Sequence, residues 1–184
     1  ELMTWIVLAL VVAIVIYCIV AYNGLIRGRN QIENAWSQVD VQLKRRIDLI
    51  PNLVETVKGY AAHEKDTLDA VVQARNAAMA APATPAGQAQ ADNVITGALR
   101  QLFALSESYP DLKASTNFLA LQEELTATEG RVAYARQFYN DSVLSYNNKT
   151  QAFPSVLIAN MFNFTQREYF EADPASREVP KVQF

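Results

Sequence analysis

The chain has 184 residues, 51% hydrophobic and 19% charged, with 16 Lys+Arg against 19 Asp+Glu for a net charge of −3. That length holds one ordinary domain plus an appendage, and the slight acid excess removes the polycationic surface through which proteins bind DNA or RNA. A single cysteine, Cys18, builds neither a disulfide framework nor a cysteine-based zinc site.

From Leu2 to Ile26 no Asp, Glu, Lys, Arg or His interrupts the chain. Roughly 20 apolar residues in a helix cross a hydrocarbon core about 30 Å thick. Eleven Ile, Leu and Val lie between Ile6 and Val20, and they favour insertion by roughly 3 to 7 kcal/mol. Residues 1–26 are therefore expected to form a membrane anchor. Trp5 and Tyr22 stand at its two ends, where amphipathic rings prefer the interface. Arg27 and Arg29 follow the span, whereas only Glu1 precedes it. The positive-inside rule then predicts a single pass with the N-terminus outside and the larger part cytoplasmic, in a cell inner membrane. A cleaved signal peptide, the rival reading, wants a basic leader, a shorter apolar stretch and a small-residue cleavage site.

Beyond the span, residues 27–170 read as a helical bundle. Trp36, Leu43, Ile50, Val57, Glu64, Val71 and Ala78 recur every seventh residue, with Val39, Ile47, Val54, Ala61, Leu68 and Arg75 interleaved at spacings of three and four. This is the pattern of one long amphipathic helix or a pair of them. Pro51 is expected to kink or divide the run, because its ring removes the hydrogen bond to Ile47. Pro82 to Gly87 ends it, and Asp92 is expected to cap a second helix reaching about Ser108. Tyr109-Pro110-Asp111 breaks the chain again. A third long helix is predicted from about Ala114 to Thr150, with Phe118, Leu125, Val132, Tyr139 and Tyr146 on one seam and Gly130 inside it. Pro154 fits the first turn of a short helix from Ser155 to Asn163. No stretch alternates with a period of two. The expected fold is all-α: an N-terminal transmembrane helix followed by a long-helix antiparallel bundle of three or four helices, the number turning on Pro51. Residues 171–184, with two prolines and no helical period, are expected to form an extended tail.

Few residues carry the marks of catalysis. His63-Glu64 resembles the start of a zinc-protease helix, but the second histidine would stand at Thr67. One histidine cannot supply the paired imidazoles of a bundle di-metal site. The carboxylates Asp40, Asp48, Glu123, Glu124 and Glu129 are assigned instead to ionic contacts with arginines. Two charges, Glu64 and Arg75, fall on the seam, where an unpaired charge costs several kcal/mol. Arg136 and Glu129 are the expected partners, together making a polar layer; the alternative is that Pro51 shifts the phase and leaves these residues wet. Residues 23–60 hold six basic against four acidic side chains, a balance of +2, and residues 61–184 carry −4. A basic membrane-proximal end suits an anionic leaflet, at about 1 kcal/mol for each cation that reaches it.

Several motifs in order resemble the LemA family of bacterial membrane proteins: Tyr22-Asn-Gly-Leu25, the run from Asp40 through Arg45-Arg46 to Pro51-Asn-Leu-Val54, His63-Glu64, Ala74-Arg75, Leu121 to Glu129, Ala135 to Asn140, Tyr146-Asn147, Phe153-Pro154 and Tyr169-Phe-Glu171. Where members usually carry glycines before the last motif, this chain has Asn160 and Asn163. The resemblance implies an N-terminal anchor with an extracytoplasmic N-terminus, a cytoplasmic helical bundle and no established enzymatic activity. Some members are associated with shaping internal membranes in magnetosome-forming bacteria, a family-level analogy.

The expected function is that of a non-enzymatic scaffold without a cofactor or metal, held in a lipid bilayer and assembling as a homo-oligomer. The late apolar residues Val156, Leu157, Met161, Phe162 and Phe164, with the terminal Phe184, are expected to bridge neighbouring copies. The alternative is an adaptor for another membrane protein, such as a protease or a sensor.

Overall fold

A computed structural model describes residues 1–171. Among them the secondary structure is wholly helical: α1 (Leu2–Ala61), α2 (Lys65–Ala80), α3 (Pro85–Ser106), α4 (Pro110–Lys113), α5 (Thr116–Gln151) and α6 (Ser155–Met161). The tail expected over 171–184, and Phe184 with it, lie beyond the described residues apart from Glu171.

The apolar stretch and the first bundle helix are one element, α1, which runs unbroken through Pro51. Pro51 therefore does not divide the run. Its ring lies on the exposed side, while its neighbours Ile50, Leu53 and Val54 are buried. Each buried aliphatic side chain contributes about 1.5–3 kcal/mol, so several together outweigh the roughly 3 kcal/mol that an interior proline costs. The helix ends instead at Ala61, ten residues on. There Glu64 leaves helical geometry (φ −87°, ψ 52°) and donates its N–H to the Ala61 carbonyl at 3.1 Å. Lys58 in the last turn of α1 and Asp66 in the first turn of α2 complement the two helix dipoles that meet at this break.

The other boundaries have local causes. Thr84 caps α3, its Oγ1 accepting the N–H of Gly87 at 3.1 Å, and Pro85 fills the first helical position. Asp92 is thus well inside α3 and caps nothing. Ser115 Oγ accepts from Phe118 N–H at 3.4 Å and opens α5. At the far end, α6 stops at Met161 because Asn163 takes a left-handed conformation (φ 57°) and the N–H of Phe164 reaches back to the carbonyl of Ala159 at 2.9 Å. This is a Schellman closure with asparagine in the usual place of glycine, which its short side chain tolerates.

The chain divides into two compact units. Unit 1 holds Glu1–Ser37 and Gln137–Glu168. In it α1 and α5 run antiparallel: a Cβ built on Gly28 would stand 3.2 Å from Cδ2 of Tyr146, and the ring of Trp36 lies 5.5 Å from that of Tyr139. The core begins at Leu25 and continues through Ile32, Ala35, Val143 and Tyr146, with Ile158 and Ala159 of α6. Every large apolar side chain before Tyr22 is exposed within the fold.

Unit 2 holds Gln38–Arg136 and, of the described residues, 169–171. Its core joins Ile50, Leu53 and Val57 of α1 to Leu68 and Val71 of α2, Leu99 and Leu102 of α3, Leu112 of α4, and Phe118 and Leu125 of α5. All five predicted seam residues of α5 are buried, two of them in unit 1 and three in unit 2.

Candidate functional site

Two regions concentrate chemistry, one in each unit. In unit 2, Arg46 of α1 and Asp92 of α3 form a buried ion pair at 2.6 Å, each side chain only 4% exposed. Arg136 of α5 approaches the second oxygen of Asp92 at 3.7 Å, donates to the carbonyl of Glu171 at 2.7 Å and stacks 4.6 Å over the ring of Phe170. One carboxylate thus sits between two guanidiniums. Charges removed from water hold only where hydrogen bonds and opposite charges replace it, and this arrangement ties three helices to Phe170 and Glu171. A cavity of about 200 Å³ opens beside Arg46, lined among others by Arg100, Thr126 and Glu129. The Nε of Arg46 is buried without a hydrogen-bond partner among the described residues.

The residues expected to form a polar layer are placed as follows. Glu64 occupies the break between α1 and α2, where its carboxylate accepts the Tyr109 hydroxyl at 2.8 Å. That hydrogen bond, with burial and the charge of Glu64 adding to it, raises the phenol pKa above 10.0. Arg75 is half-buried on α2, its Nε without a partner among the described residues. Glu129 is exposed at the cavity rim, and Arg136 serves Asp92. Periodicity points to Glu64 and Arg75 because the seven-residue repeat carries its phase across the run, whereas the helix breaks at Glu64 itself. Arg46 and Asp92 carry the buried charge instead, where the local pattern points only to an ionic contact with a carboxylate for the one and a helix cap for the other. Their signal was present: Arg46 lies seven residues after Val39 and seven before Leu53, both fully buried, and so shares their helix face.

In unit 1 the end of the apolar stretch meets the segment around α6. The ring of Tyr22 makes edge contacts with Phe162 at 4.8 Å and Phe164 at 5.7 Å, and the guanidinium of Arg29 lies 5.5 Å over Phe164. Phe164 is buried and Val156 half-buried, whereas Leu157, Met161 and Phe162 remain exposed. Trp5, at the other end of the stretch, and Arg27 are exposed as well. Below this contact the chain after Phe164 is fastened to α5. Asn147 donates to the carbonyl of Arg167 at 3.0 Å and accepts its N–H at 2.8 Å, the Tyr139 hydroxyl donates to the carbonyl of Glu168 at 2.8 Å, and the Arg167 guanidinium pairs with Glu33. Burial is the main reason the Tyr139 and Tyr146 phenols have pKa values above 10.0. Among the described residues, no three His, Cys, Asp or Glu side chains come together as a metal site.

These features define a class: an all-α bundle protein whose first helix is long and apolar enough to cross a membrane and passes directly into the bundle. A family model described as "LemA family" matches residues 35–184. Protein LemA of Metamycoplasma hominis is 30% identical over 84% of this chain and 71% of its own length. The magnetosome protein MamQ of Magnetospirillum gryphiswaldense is 24% identical over 95% of the chain and 74% of its own length. Magnetosome protein MamQ 2 of Paramagnetospirillum magneticum is 26% identical over 90% and 70%. The chain belongs to the LemA family.

Proposed function

We propose that the chain is a non-enzymatic, membrane-anchored scaffold that self-associates on the cytoplasmic face of a bacterial inner membrane and organises that membrane. The observation that carries the reading is the continuity of α1 within unit 1. The apolar stretch and the core positions Leu25, Ile32 and Ala35 belong to one helix, without a flexible link between them. A tether tolerates slack, whereas a helix shared by bilayer and core transmits the orientation of one to the other. Arg27 and Arg29, exposed just after the stretch, support the cytoplasmic placement through the positive-inside rule. Large apolar side chains left uncovered on the bundle, among them Val41 and Tyr134, support contact between copies. The buried Asp92 carboxylate is engaged by Arg46 and Arg136 of the same chain, as befits a structural layer. Similarity to proteins named for the magnetosome supports a role in organising membrane.

Cross-linking in native membranes at physiological expression tests the assembly, and a ladder of self-adducts is expected. A strictly monomeric population overturns it, and one stoichiometric heterologous partner in place of self assigns the chain to an adaptor role. Protease treatment of sealed cells tests the placement: digestion of the bundle from outside overturns it.

A further inference from the structure

We infer that α6 and its flanks form a second membrane-contacting element, lying in the headgroup region of the same leaflet at which α1 leaves the bilayer. The inference rests on the reading of α1 as a membrane anchor. A helix on the surface of a soluble bundle has one apolar face and one polar face. α6 buries Ile158 and Ala159, yet its other side is apolar too: Leu157 is 55% and Met161 71% exposed, and these two, four residues apart, share a face. Phe153, 80% exposed, precedes the helix, and Phe162, 53% exposed, follows it. No charged residue occurs between Lys149 and Arg167. Such a surface is unfavourable in water and favourable at the boundary between headgroups and acyl chains.

The level of this surface is set by contact with the anchor. The Phe162 ring touches Tyr22, the aromatic border residue of α1, at 4.8 Å between centroids. With Leu2–Tyr22 in lipid, Phe162 is at the bilayer border as well, and the exposed side of α6 continues the lipid-facing surface of α1. That continuity selects lipid over a second copy as the occupant. Lys149 before the apolar segment and Arg29 beside Phe164 supply cations for anionic headgroups. The Schellman closure at Asn163 turns Phe164 onto Tyr22 and so holds α6 against the anchor.

The test uses the full chain with Cys18→Ser as background, reconstituted into vesicles of phosphatidylethanolamine and phosphatidylglycerol. A polarity-sensitive fluorophore is attached in turn at Ile14→Cys in the anchor, Leu157→Cys and Met161→Cys in α6, and Met79→Cys on the exposed side of α2. Nitroxide lipids labelled near the headgroup or deep in the acyl chain serve as quenchers. The α6 labels are expected to shift to the blue and lose most of their emission to the shallow quencher, the Ile14 label to the deep one, and the Met79 label to neither. Labels on α6 that behave like the one at Met79, while Ile14 is quenched, overturn the inference and leave the anchor standing. An Ile14 label that escapes quenching overturns the anchor and the inference with it. Labels on α6 that are shifted to the blue yet unquenched, and shielded further as protein density rises, give this surface to a second copy and also overturn the inference.

Discussion

The side-chain amide of Asn147 pairs with both backbone polar groups of Arg167, donating to its carbonyl at 3.0 Å and accepting its N–H at 2.8 Å. Asn147 thereby treats an irregular segment as a sheet would treat an edge strand, satisfying a donor and an acceptor at once. This explains the Tyr146-Asn147 pair: the tyrosine fills the core beneath Gly28, and the asparagine holds the returning chain.

Asn147→Ala leaves both Arg167 groups without their partners and is expected to cost about 1–3 kcal/mol. Asn147→Asp keeps the acceptor for the Arg167 N–H but sets a carboxylate oxygen against the Arg167 carbonyl at a buried site, so it should not rescue the loss. Chemical denaturation gives the magnitudes, and amide exchange at Arg167 gives the location. Equal stability of wild type and Asn147→Ala would contradict the clamp.

The ion pair between Arg46 and Asp92 predicts an asymmetry. Removing one partner, as in Asp92→Ala, leaves Arg46 buried without its ion-pair partner and should destabilise unit 2 by about 3–5 kcal/mol. Replacing both, Arg46→Met with Asp92→Leu, should recover most of that loss, because two matched apolar groups no longer need solvation. Arg136 limits the recovery, since it also faces Asp92 at 3.7 Å. Thermal or denaturant unfolding of the two variants decides the point; a double variant as unstable as the single one refutes the account.

Two helical glycines should respond unequally to alanine. Around Gly130 of α5 there is open space for a Cβ, so Gly130→Ala should gain up to about 1 kcal/mol of helix propensity. At Gly28 the new Cβ would stand 3.2 Å from Tyr146, a fully packed ring. Gly28→Ala should therefore fall short of Gly130→Ala by about 1–3 kcal/mol. Unfolding midpoints of the two variants measure the difference directly.

Alkaline pH should weaken both units. Tyr109, Tyr139 and Tyr146 have folded pKa values above the unfolded value of 10.0, the first mainly through its hydrogen bond to Glu64 and the others mainly through burial. The folded chain then holds these protons more tightly than the unfolded chain. Their contribution is complete below pH 10.0 and drains as pH rises through the folded values. Phenolate absorbance followed with unfolding should show the two rising together above that pH. Tyr109→Phe should reduce the pH sensitivity of unit 2 alone.

Much of this architecture was legible in the residues. An uncharged run as long as a bilayer is thick needs no tertiary information to be recognised. The seam of α5, from Phe118 to Tyr146, was equally plain, because a repeat of seven places side chains on one face wherever the helix packs. The prolines misled twice. Pro51 looked like a divider yet lies on an exposed side where the buried neighbours hold the helix, and Pro85, expected to lie in a break, is the first residue of α3, ahead of the expected cap at Asp92, because Thr84 caps the helix there.

The sequence by itself determined the helical class, the apolar leading helix and the apolar faces that must be covered, since each depends on neighbours within a few turns. Tertiary structure alone decided which charge meets which. Arg46 and Asp92 are 46 positions apart, and no periodicity relates them. It also decided that α1 ends at Ala61, where a carboxylate can turn aside to Tyr109, and that Asn147 and Asn163 shape the return of the chain toward Tyr22. Contacts of this kind follow from proximity in space, which a local pattern constrains but does not specify.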